Sequence, residues 1–133
     1  MTTRWQFRSG DFEGLRATRS AALAVLRDHG DAASDFDACA VVLSELLSNA
    51  ALHAPPGSIG VCLDWSRSSP IFTVHDSGPG FELNIALPSP LREGGRGLFL
   101  VAQLAEAPHV RADETGCHVS VALPVTRRNA RNG

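Results

Sequence analysis

Pro55-Pro56-Gly57 splits this chain of 133 residues into two stretches with different hydrophobic rhythms. That break limits the possible folds more than any other feature. Before it, apolar residues recur at helical spacing; after it, they alternate or come in short runs bounded by turn residues. A proline pair ends a helix because it removes amide donors and clashes with the preceding turn. Phe12 to about His29 carries Leu15, Ala22, Leu23 and Leu26 at helical spacing and ends near Gly30. Asp35 is placed to cap a second helix running to about Ala54. Thr3–Arg8 alternates and predicts a first strand. Ile59–Trp65 and Ile71–His75 predict two more, joined by a polar turn around Ser66–Pro70. Pro108–Asp113 and His118–Leu123 predict closing strands about a Thr115-Gly116 turn.

Phe81 to Gly95 shows no sustained periodicity and holds Pro88, Pro90, Gly94 and Gly95. A structureless run of about fifteen residues inside a small domain reads as a functional loop or lid. Gly97–Ala105 then predicts a short apolar helix. The order of elements predicts an α+β fold, a two-layer α/β sandwich with helices on one face of a mixed sheet. The helical half precedes the strand-rich half, which does not suit a doubly wound parallel sheet. Residues 1–125 read as one domain and 126–133 as a short basic tail, with Arg127–Gly133 expected to fray.

Composition removes several functions. Twelve basic and 14 acidic residues leave a formal charge of −2, with no electrostatic footprint for nucleic acid. All twelve basic side chains are Arg, so neither a lysine-bearing phosphate loop nor Schiff-base chemistry is available. No apolar run approaches the roughly 18 residues that span a membrane, and Met1–Gly10 lacks an apolar signal core. The expected address is the cytoplasm. Cys39, Cys62 and Cys117 are odd in number and without a C-x-x-C pair, so they read as buried reduced thiols. His75 and His118 fall in predicted strands and read as satisfied structural residues, His29 and His109 have no partner pattern, and Trp5 and Trp65 read as packing residues.

Three short motifs carry the chemistry. Glu45, Asn49 and His53 recur at spacing four, forming one polar line on the second helix. The apolar stripe of Leu43, Leu46, Leu47 and Ala50 lies about 100° away, which puts that line at the core margin. Asp76, at a strand end, is followed by Gly78 and Gly80; the glycines let backbone approach a flat ligand, and the carboxylate suits an exocyclic amine. Gly94-Gly95-Arg96-Gly97-Leu98 opens the third helix, where orphan amides and a planar cation suit phosphate oxygens. Each motif alone also reads as ordinary structure: a solvated face, a turn, a glycine-rich helix start. Their succession in one chain does not.

That succession resembles the GHKL ATPase superfamily, whose members bind ATP in the helix-on-sheet cleft of the Bergerat fold. Glu45-Leu46-Leu47-Ser48-Asn49-Ala50 and Gly94-Gly95-Arg96-Gly97-Leu98-Phe99-Leu100-Val101 look like those of bacterial anti-sigma factor serine kinases. The similarity covers roughly Asp37 to Leu123. It implies Glu45 as general base and Asn49 as the magnesium ligand, with His53 bordering the phosphates. It also implies that Asp76 accepts from the adenine amino group, that Gly78 and Gly80 shape the adenine pocket, and that Gly95, Arg96, Gly97 and Leu98 cradle phosphates under the lid. Where the family carries a hydroxyl residue after the late glycine, this chain has Cys117, a poor donor in the same ATP contact. The implied partners are a STAS-type anti-anti-sigma protein as substrate and a sigma factor; a second copy in a homodimer is a further candidate. Arg16 and Arg19, one turn apart on the first helix, read either as a solvated face or as a docking patch for an acidic partner. The alternatives are a non-catalytic module gated by nucleotide, or the ATP-binding domain of a histidine kinase.

Overall fold

The computed structural model describes residues 1–78, 105 and 108–128. Along the chain run strand β1 (Thr2–Arg8), helix α1 (Phe12–His29), helix α2 (Phe36–His53), and strands β2 (Ser58–Asp64), β3 (Ile71–Asp76), β4 (His109–Asp113) and β5 (Gly116–Ala122). The five strands form one sheet in the order β1-β2-β3-β5-β4. Every described pairing is antiparallel, where the sequence predicted a mixed sheet. Short connections explain two of these pairings: residues 65–70 join β2 to β3 and residues 114–115 join β4 to β5, too short for the crossover that a parallel pair needs.

Both helices start as local chemistry dictates. Asp11 Oδ1 accepts from the Gly14 amide at 2.9 Å, and Asp35 Oδ1 from the Ala38 amide at 3.0 Å. Each carboxylate satisfies an amide donor that has no partner within its helix. Helix α1 stops at Gly30, whose amide donates to the Leu26 carbonyl at 2.7 Å. Its φ of −85° is open to any residue; space is what demands glycine here. A Cβ would lie 2.5 Å from the Leu26 carbonyl oxygen and 2.7 Å from Val125 Cγ1.

The core lies between the helices and one face of the sheet. Leu15, Leu23 and Leu26 of α1 and Val42, Leu43, Leu46 and Leu47 of α2 pack on Phe7, Ile59, Val61, Leu63, Phe72, Val74 and Val121. Burying each such side chain stabilises the fold by roughly 1.5–3 kcal/mol. Trp65 is fully buried at one end of the sheet, edge-on to His29 with ring centroids 6.3 Å apart; Trp5 packs half-buried on the core.

The chain past Val125 is tied down further than its composition predicts. The Arg127 amide donates to the Ser68 carbonyl and the Arg128 amide to the His29 carbonyl, at 2.9 and 2.8 Å, and Asp31 N–H reaches the Thr126 carbonyl at 2.7 Å. Arg127 therefore forms a bridge with Gly30 instead of fraying. Backbone pairing with a distant loop holds this segment, and a tail's composition carries no record of it. Among the described residues, no helix is long and apolar enough to cross a membrane.

Candidate nucleotide site

The polar line of α2 has the margin position that its spacing predicts, except at the end. Glu45 and Asn49 are half-buried, whereas His53, in the last turn, is exposed. Leu43, Leu46, Leu47 and Ala50 are all buried. With that face committed to the core, the angular offset holds Glu45 and Asn49 at the edge of the helix–sheet interface.

Asp76 closes β3, and its flanking turn meets the end of α2. Its Oδ1 accepts from the Gly78 amide at 2.6 Å. A Cβ on Gly78 would come within 2.8 Å of that oxygen and 3.1 Å of Pro55 Cδ. A Cβ on Gly57 would lie 3.7 Å from Ser77 Oγ. Pro55, just past the end of α2, thus packs against the turn after Asp76. Two motifs more than twenty residues apart meet at one corner of the molecule, with glycine at the point of closest approach.

Cys117 borders the same corner. It pairs with Asp76 across β3 and β5, on the buried side of the sheet. Burial pushes its thiol above the ordinary range, and the negative charge of Asp76 adds to this. A neutral thiol is therefore what faces Asp76. Cys39, buried in α2, is pushed up to about 12, first by burial and then by the charge of Asp35. Cys62 corrects the expectation of three buried thiols: it is free, like the others, but only half-buried. Among the described residues no cluster of His, Cys, Asp and Glu could hold a metal ion.

A family model for the histidine kinase-like ATPase domain matches residues 9–123. The chain belongs to this family. No curated protein matches it by sequence. Among solved structures, the RsbU and RsbW domains of Rv1364c from Mycobacterium tuberculosis superpose with a TM-score of 0.62 at 15% identity, over 96% of this chain and 34% of that one. The chain therefore spans about a third of that protein's length, and the likeness is one of fold. The histidine kinase domain of the Erythrobacter litoralis EL346 blue-light activated histidine kinase aligns at a TM-score of 0.49 and 26% identity, over 85% of this chain and 60% of that one.

Of the residues expected at the site, Glu45, Asn49, His53, Asp76, Gly78 and Cys117 are among the described ones. Gly80, Gly95, Arg96, Gly97 and Leu98 lie outside the described residues, as do the expected lid and nearly all of the short helix before Ala105. Arg16 is exposed on α1; Arg19 is half-buried, and its Nε has no hydrogen-bond partner among the described residues. One group of polar residues escaped the sequence reading. His75, His118, Asp113 and Thr115 converge on the other face of the sheet, and strand register is the signal that brings them together.

Proposed function

We propose that this domain binds ATP with magnesium and transfers its γ-phosphoryl group to a serine of a STAS-type anti-anti-sigma protein, and that it also sequesters a sigma factor. The carrying observation is the corner where Pro55, at the end of the Glu45/Asn49 helix, packs on the Asp76–Gly78 turn. It brings the end of the helix that carries Glu45 and Asn49 to the turn that carries Asp76, as a nucleotide cleft with an acceptor at its base would require. The fit to adenine lies in Asp76: one oxygen is held by the Gly78 amide, and the other has no partner among the described residues. Asn49, an oxygen donor at a half-buried margin, would hold magnesium, and the ion would supply neutralisation of phosphate charge.

Glu45 takes the proton of the serine hydroxyl, whose oxygen forms a bond to the γ-phosphorus. The bond from that phosphorus to the oxygen it shares with the β-phosphate breaks, and ADP leaves. Glu45 is half-buried one turn before Asn49, so the two lie side by side on the helix, as a base and a metal ligand that act on one phosphoryl group would need. Radiolabel transfer from ATP to the partner tests the reading. Glu45→Ala should keep ATP affinity while transfer drops by roughly 10²–10⁴-fold. Asp76→Asn should weaken ATP binding by roughly 10- to 150-fold, the cost of one charge-assisted hydrogen bond. Transfer at the parent rate by a folded Glu45→Ala protein would remove Glu45 from the role. Cys117 favours a second reading, a nucleotide-gated binding module: a neutral buried thiol is a weak donor where the family carries a hydroxyl. A parent that binds ATP and sigma factor but transfers nothing supports that module.

A further inference from the structure

A cluster of polar side chains occupies the face of the sheet opposite the helices. His75 on β3 and His118 on β5 are register partners, and their rings stack in parallel, centroids 4.1 Å apart and planes at 4°. His75 Nε2 lies 3.0 Å from the Thr115 carbonyl oxygen. A carbonyl cannot donate, so that nitrogen carries the proton. His118 Nε2 lies 3.2 Å from Asp113 Oδ2 and 3.3 Å from Thr115 Oγ1. The Thr115 hydroxyl gives its own proton to Asp113 Oδ1 at 2.6 Å, and the Thr115 amide donates to the same oxygen at 2.8 Å. Both imidazoles therefore present Nε2–H to the turn that joins β4 to β5.

That turn abuts the main chain of Asp76. Gly116 has φ +131°, and a Cβ there would lie 1.9 Å from the Asp76 carbonyl oxygen and 2.8 Å from Ser77 Cα. Asp76 is thus held from two sides, by Gly78 and Pro55 on one and by Gly116 and Cys117 on the other. We propose that His75 and His118 are positioning residues for the adenine nucleotide: stacked together, they pin the 113–116 turn, and the turn fixes the carboxylate of Asp76 in its binding orientation. This inference rests on the nucleotide reading above. The two histidines touch no ligand and lie across the sheet from the cleft. Their effect passes through backbone contact at Gly116, where glycine leaves no intervening side chain to absorb a shift.

The test is calorimetric titration of the full chain with ATP and magnesium, alongside melting without nucleotide. His75→Ala should weaken ATP binding about tenfold, the worth of one hydrogen bond to a preorganised group. His75→Gln keeps a donor for the Thr115 carbonyl and should restore affinity to within about threefold of the parent. His118→Ala should lose about as much as His75→Ala, and the double variant little more than either, because the pair acts as one unit. Equal affinities for the alanine and glutamine variants at position 75, or losses at 75 and 118 that simply add, overturn the clamp. If His75→Ala lost its melting transition, His118→Ala and His75→Gln would decide the matter by the same criteria. A parent that binds no ATP overturns the nucleotide reading itself. A parent that binds while every variant matches it overturns only the clamp.

Discussion

Consecutive residues of β3 lead opposite lives. Phe72 and Val74 point into the helix-covered core, 0% and 2% exposed. Thr73 and His75 point the other way, half-buried, with their polar atoms bonded to Ser120 and to the Thr115 carbonyl at 2.9 and 3.0 Å. The inner face is held by area removed from water and the outer face by hydrogen bonds to the neighbouring strand β5 and the turn before it. Those two forces differ in size and in what disturbs them. Apolar burial is non-directional and sensitive to volume; the outer bonds are directional, individually small, and open to pH.

The largest effect should follow from removing inner volume. Phe72→Ala should destabilise the domain by about 3–5 kcal/mol, read from its urea midpoint. A loss under about 1 kcal/mol would mean that the helices collapse onto the vacated space and that the faces are less distinct than their burial implies. Next comes the outer face: Thr73→Ala removes the hydroxyl pair with Ser120 and should cost about 0.5–1.5 kcal/mol. A cost matching that of Phe72→Ala would erase the comparison.

The smallest effect concerns acid. The Thr115 hydroxyl, followed by the Thr115 amide and His118, holds the Asp113 carboxyl at about 2, below its ordinary 3.8. A lowered carboxyl stabilises the fold above its ordinary value, and the contribution fades as pH falls through about 2. Asp113 is exposed, so the effect is slight. Denaturant midpoints of the parent and Asp113→Asn should differ at pH 5 and converge towards pH 2. A gap that is constant over that range would break the assignment. Thiol labelling sharpens the same contrast from another side. At pH 8 a bulky reagent should modify half-buried Cys62 on the outer face well before Cys39 and Cys117, which are covered. Equal rates in the folded protein would deny the inner face its exclusion of water.

Much of the fold was legible because its signals are local. Asp35 declares a helix start through a bond three residues long, Pro55-Pro56 declares an end through sterics, and the alternation of Ile59–Leu63 declares a strand with one wet face. The margin position of Glu45 and Asn49 was legible too, since it follows from helical geometry once the apolar stripe is known. His53 departs from it: it is exposed, although Ala50 and Ala51 in the same turn are buried. The half-burial of Cys62 depends on which strands flank β2, and the anchoring of Arg127 on which loop passes nearby.

By itself, then, the sequence determined the order of the described elements, the helix caps and the buried stripe of α2, because each depends on residues within a turn or two of one another. Tertiary structure alone decided that the described sheet is antiparallel throughout. It alone packed Pro55 on the Asp76–Gly78 turn and stacked His75 on His118. These contacts join residues 20 to more than 40 positions apart. Their geometry is set by strand register, a property of paired chains that no single segment encodes.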